Sequence, residues 1–258
     1  MLPTLFISHG SPTLTIENNT TTQFLKELPT RFDTPKTILI ISAHWSTNEL
    51  RILTNEDPFI IYDFYNFPEK LYEQEYPANN DINKVKKVVT LLNNANINIY
   101  EEETRSGYDH GVWSPLKLMY PKADIPIVQL SLPLNFSAKE LMNIGEALSS
   151  LREDTLIVAS GAMTHNLRDM NWHDKNQKPV NYAVAFRDWV VEKLENKEIN
   201  SLINFEKDAP YVRQNHPTLE HFLPIFVALG ASKKHQGESL HNKYMYGNQA
   251  MDTIIFKE

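Results

Sequence analysis

The 258-residue chain contains no cysteine. That excludes disulfides, thiolate metal sites, iron–sulfur clusters and a cysteine nucleophile, and it leaves any transition metal to nitrogen and oxygen ligands. A basic excess is missing too: 25 Lys+Arg stand against 32 Asp+Glu, a net charge of −7. Nothing in that balance serves to neutralise a nucleic-acid backbone or an anionic membrane. No apolar run approaches the ~20 residues of a membrane span, and no basic stretch followed by a long apolar one opens the chain. The expectation is a cytoplasmic protein with neither nucleic acid nor membrane as partner. Repeats, low-complexity tracts and long linkers are also lacking, so residues 1–258 are read as one domain.

What is present is ordinary globular material, 41% apolar and 22% charged, enough to bury a sizeable core. Apolar runs with turn punctuation predict strands near 3–7, 37–42, 96–100, 126–132, 155–159 and 252–256. Helical spacing predicts helices over 81–94, 137–149, 180–194 and 217–229. Ser137 and Glu140 form the capping-box pattern, and Pro217 suits a first helical turn. Alternation of strands and helices defines an α/β class, a three-layer α/β/α domain around a largely parallel or mixed sheet. Residues 55–78, dense in Tyr, Phe and Pro, read as a long loop packed by its own aromatic side chains.

Three of the nine histidines stand where a strand has just ended. His9 follows LFIS, His44 follows TILIIS, and His165 follows TLIVA. Open α/β sheets bind ligands beyond the carboxyl ends of their strands, so three such histidines can converge on one point. Neutral imidazole is the commonest nitrogen ligand for zinc or iron(II). His110 in "DHGVWSPL" and the pair His216 and His221 in "HPTLEHFLP" lie in loops or at a helix start. His173, His235 and His241 sit in polar surroundings and read as solvated surface. HExxH, EF-hand, Walker and GxSxG patterns are all absent, and Ser8, Ser11 and Ser160 read as turn residues. Spacing alone gives a mononuclear metal site at the edge of an α/β sheet.

The blocks "HGSP", "SAHW", "YDFYNFPEKLYEQEYPA", "DHGVWSPL", "SGAMTHNL" and "HPTLEHFLPIFVALGA" follow one another along nearly the whole chain. In that order they resemble the class III extradiol ring-cleavage dioxygenases, specifically the 4,5-DOPA dioxygenase branch. The resemblance implies one α/β/α domain, one mononuclear non-haem metal, Fe(2+) in the active species or Zn(2+) as isolated, and a catecholic substrate opened with O2. It makes His9 and His44 metal ligands, with His221 the third and Glu220 the competing choice. His165 and His110 match positions acting on the substrate, His165 being near enough to serve as a further ligand. A ligand set in which His165 must leave before catechol and O2 both fit makes it the base in turnover. Asp109 or Trp113 would help to position the His110 loop. Tyr62, Phe64, Tyr65, Phe67 and Trp45 would either wall a planar substrate or pack as a satellite core. A zinc hydrolase using the same histidines, and a non-catalytic binding protein of the same fold, are the competing readings.

Overall fold

The computed structural model describes residues 1–257. Its centre is an eight-stranded mixed sheet. Four parallel strands form the middle, in the order Ile127–Pro133, Thr37–Thr47, Thr155–Gly161 and Thr4–Ser8. Beyond Thr4–Ser8, Thr253–Phe256 and then Gly237–His241 pair antiparallel. On the other flank Arg51–Leu53 runs antiparallel to Ile127–Pro133 and carries Tyr100–Glu102 at the edge.

The central strands are apolar on both faces because helices cover both. Phe6, Leu39, Ile41, Val128 and Ile157 face one core layer, with Ile82–Asn94, Ala138–Leu148, Asn181–Glu195 and Pro224–Ala231 packed over them. Leu5, Ile7, Ile38, Ile40 and Val158 face the other, under Thr20–Glu27 and His110–Met119. Successive residues thus point to opposite layers, as the two-residue strand period requires. Each fully buried aliphatic side chain contributes about 1.5–3 kcal/mol relative to exposure. The three-layer mixed α/β class expected from the alternation of elements is what forms.

Several elements depart from expectation. The segment 217–229 does not form one helix: helix begins only at Pro224 and runs to Ala231, so His221 sits in the turn before it. The strand expected over 96–100 lies at Tyr100–Glu102. His110 opens the helix His110–Met119 instead of lying in a loop. The aromatic segment is partly ordered into strand Phe59–Ile60, paired parallel with Gly107–Tyr108, and a 3-10 turn at Glu69–Leu71. His44 lies inside the long strand Thr37–Thr47, yet pairing with Thr155–Gly161 ends at Ser42 and the register with Ile127–Pro133 shifts between Ile41 and Ser46. That irregularity re-aims the histidine out of the ladder, a common role of bulges beside sites. His241 is buried rather than solvated: its Nε2 pairs with Thr21 Oγ1 at 2.9 Å and its ring stacks on Phe24. His173 is exposed and His235 partly so.

Candidate metal centre

Adjacent parallel strands deliver the site. Gly10, at φ +64°, adopts the left-handed conformation that turns the chain away as soon as His9 has been placed. Thr37–Thr47 brings His44 beside it, and Thr155–Gly161 supplies Ser160 and leads on to His165. The short helix Val212–Asn215 and the turn after it pack back on this strand exit. The amide of Ala162 donates to the carbonyl of His221 at 2.8 Å, and that of His165 to Asn215 at 3.0 Å. His216, fully buried, donates from Nε2 to the carbonyl of Met163 at 3.0 Å and pins the same strand exit.

Three imidazoles meet through their Nε2 atoms. His44 Nε2 lies 3.0 Å from His9 Nε2 and 3.2 Å from His221 Nε2. Each ring keeps Nδ1 against an oxygen: Ser160 Oγ at 2.9 Å for His9, Asp63 Oδ2 at 3.2 Å for His44, and Glu220 Oε1 at 2.9 Å for His221. For His9 the tautomer follows from the chain of donors. Ser160 gives its proton to the carbonyl of Gly111 at 2.5 Å, so it can only accept from His9 Nδ1–H, and His9 Nε2 is left as a bare lone pair. Gly111 has its carbonyl free because the residue four positions on, Pro115, has no N–H to return to it.

Burial, and then the neighbouring imidazoles, push His9 and His221 well below the ordinary imidazole value. Burial takes His44 to about 4, with His110 adding to the effect and Asp109, Asp63 and Glu220 opposing it. All three rings are therefore neutral at pH 7. With Nδ1–H held by its oxygen, each ring would turn a bare Nε2 lone pair toward its neighbours at 3.0 and 3.2 Å, an arrangement that a cation bound by them would relieve. Donor chemistry, tautomer and oxygen-held Nδ1 atoms fit a metal ion.

Two more histidines border the three. His110 Nδ1 lies 2.9 Å from Asp63 Oδ1, and its ring centroid is 3.9 Å from that of His44. His165 stacks on His221 with centroids 3.5 Å apart and planes 10° from parallel. Burial lowers its pKa to about 4, against the opposing effect of Glu220. Metal-ligating atoms of His9, His44 and His110 lie within 4.8 Å of one another, as do those of His165, Glu220 and His221. All five histidines singled out in the sequence are thus brought together.

Other parts of the site are less visible in the sequence. Ser160 is no mere turn residue, since it fixes His9, and Asp63 enters from the middle of the aromatic segment. Asp109 is fully buried, accepts from Ser42 Oγ at 2.6 Å and Gln129 Nε2 at 2.7 Å, and pairs with Arg105 at 2.9 Å. Ser42 Oγ in turn receives the amide of His44 at 3.2 Å. Trp45 is buried with Arg105 over its ring. Phe64 meets Tyr72, Phe67 and Trp113 and sets its ring perpendicular to His110 at 5.9 Å. Tyr65 is 81% exposed and joins none of these contacts.

Fold and site together define a cluster of histidines that could hold a metal ion at the carboxyl edge of a mixed α/β sheet. Residues 3–254 match the family of the catalytic LigB subunit of aromatic ring-opening dioxygenase, and the chain belongs to that family. It is 36% identical to the 4,5-DOPA dioxygenase extradiol of Escherichia coli K12, over 89% of this chain and 85% of that protein. It is 34% identical to the protein of the same name from Beta vulgaris, over 98% and 96%. The crystal structure of an uncharacterized protein from Escherichia coli K12 superposes at TM-score 0.82 with 30% identity, covering both chains completely. The chain is accordingly an enzyme of the extradiol dioxygenase type. No helix among the described residues is long and apolar enough to cross a membrane.

Proposed function

We propose that this enzyme opens a catechol-type ring, DOPA-like in class, with O2, using one Fe(2+) held by His9, His44 and His221. The observation that carries the reading is the convergence of three Nε2 atoms on the sheet edge, each ring with Nδ1 against an oxygen. The metal, when bound, supplies the redox and Lewis-acid chemistry that lets a catechol react with O2. Zn(2+) suits three neutral imidazoles as readily and is the ion expected in protein purified without added iron.

His165 is assigned to proton transfer and not to the ligand set. Its ring plane runs nearly parallel to that of His221 at stacking distance. Stacked in this way, His165 would stand beside an ion held by His221 as a neighbouring base. A ring so placed, and neutral at pH 7, can take a proton from a ring hydroxyl of the substrate. His110 sits on the opposite side, against His44, where its Nε2 can hydrogen-bond a substrate oxygen. Phe64 borders His110, while the rest of the aromatic segment packs on Trp113 as a small core of its own.

Glu220 stands behind His221, accepting from its Nδ1 and from the Thr218 hydroxyl at 3.0 Å. That placement supports the histidine as third ligand, with the carboxylate as its partner. The test is oxygen uptake by protein reconstituted anaerobically with Fe(II) and offered L-DOPA and a panel of simple catechols. Oxygen consumption coupled to a yellow ring-opened semialdehyde supports the reading; iron-loaded protein that consumes none with any catechol overturns it.

A further inference from the structure

The aromatic segment places one carboxylate between two histidines of different roles. Asp63 Oδ2 lies 3.2 Å from Nδ1 of His44, while Oδ1 lies 2.9 Å from Nδ1 of His110 and accepts the His110 backbone amide at 2.9 Å. The hydrogen bond from the His110 amide holds Oδ1, and each oxygen stands at ion-pair distance from a different ring, so the carboxylate cannot turn toward one ring without withdrawing from the other. We propose that Asp63 is a positioning residue that locks the metal ligand His44 and the substrate-facing His110 to each other, setting both rings as Nδ1–H tautomers with Nε2 turned inward. This deepens the dioxygenase reading and rests on it for the role of His110.

The segment is built to hold Asp63 at that point. Phe59–Ile60 pairs in register with Gly107–Tyr108, so Asp63 and His110 leave one small two-stranded sheet three and two residues beyond the matched pair Ile60 and Tyr108. The amide of Ile61 donates to the carbonyl of Tyr108 at 2.6 Å, and Trp113 Nε1 donates to the carbonyl of Ile61 at 3.2 Å. Gly107 is obligatory there: a Cβ would fall 1.7 Å from the carbonyl oxygen of Phe59. The aromatic side chains around it bind the segment to helix His110–Met119, and Asp63 is the polar contact that the packing delivers.

The test compares wild type, Asp63→Asn, His110→Ala and the double variant. An asparagine keeps the shape but offers one acceptor oxygen where two imidazoles need one each. Zn(II) affinity, read by chelator competition, is expected to fall about 10–100-fold on Asp63→Asn, whether His110 is present or replaced by alanine. In iron-loaded protein the loss of kcat caused by Asp63→Asn is expected to shrink once His110 is absent, leaving only what acts through His44, so the two losses do not multiply. Imidazole 15N spectra of the zinc form should show His44 and His110 as Nδ1–H tautomers, lost together in Asp63→Asn. Gly107→Ala, which touches neither ring, should reproduce the affinity and tautomer changes by moving the small sheet. Unchanged affinity and tautomers in both Asp63→Asn and Gly107→Ala, with the fold intact by circular dichroism, would overturn the proposal, as would kcat losses that multiply. If the iron-loaded enzyme opens no catechol, the functional reading fails, and the affinity and tautomer results still decide the role of Asp63.

Discussion

His9 Nδ1 lies 2.9 Å from the hydroxyl of Ser160, and that hydroxyl has already given its proton to the carbonyl of Gly111. One serine thereby decides which nitrogen of His9 is bare. Ser160→Ala should weaken Zn(II) binding by about 10–100-fold, the usual cost of losing the partner of a metal-bound histidine. Ser160→Thr, which keeps the hydroxyl, should recover most of it. Chelator competition measures both, and an alanine variant with wild-type affinity would contradict the assignment.

Pro115 makes that arrangement possible by withholding a helical hydrogen bond from Gly111. Pro115→Ala restores the bond and draws the Gly111 carbonyl back toward the helix axis. Removal of a mid-helix proline is expected to raise stability, by up to about 3 kcal/mol. Metal affinity should fall at the same time, though less than in Ser160→Ala. A thermal melt beside a zinc titration reads the trade; affinity rising together with stability would contradict the link from Pro115 to His9.

The division between ligands and base predicts a clean contrast. His221→Ala should lose stoichiometric metal, as should His9→Ala and His44→Ala. His165→Ala should keep one metal per chain while kcat falls about 10²–10⁴-fold, the range for loss of a general base. Metal analysis after dialysis, beside oxygen uptake, separates the outcomes. Loss of metal from His165→Ala would make it a ligand and contradict the role drawn from its stacking.

Burial gives the metal-free protein a defined pH dependence. It lowers His216 and His241 to about 4 in the folded chain, from an unfolded value near 6.5. Between those values the unfolded chain binds the protons, so unfolding is favoured as pH falls. The contribution is fully present above about pH 6.5, is lost progressively down to about pH 4, and changes no further below that. Melting temperatures of apoprotein should fall across that window. His241→Gln, which keeps a polar partner for Thr21, should make the slope shallower; an unchanged slope would remove His241 from the account.

Much of this site was legible in the residue order. LFIS-His9 and TILIIS-Ala-His44 announce strands that end or break at a histidine, and the absence of cysteine turns attention to imidazole. The parallel strands made those positions neighbours without further information. Other residues were hidden because their meaning is set by contacts distant in sequence. Asp63 lies within an aromatic run that reads as packing, and only pairing of Phe59–Ile60 with Gly107–Tyr108 carries it to His44 and His110. Ser160 looks like any small residue at a strand end until Gly111 takes its proton. His241 sits among polar neighbours, yet antiparallel pairing with Thr253–Phe256 carries it under Phe24. His221 was expected inside a helix because Pro217 resembles a first-turn proline, whereas tertiary pairing of its carbonyl with Ala162 holds it in a turn.

The central claim is that these histidines serve ring opening by O2, and isotope labelling tests it most directly. Fe(II)-reconstituted enzyme would be mixed with L-DOPA under ¹⁸O₂ and the ring-opened product examined by mass spectrometry. The account predicts that both atoms of one O2 molecule enter the product, and that Asp63→Asn and His165→Ala slow its formation without changing the label. A product carrying no label, or conversion of the substrate with no O2 consumed, would contradict it.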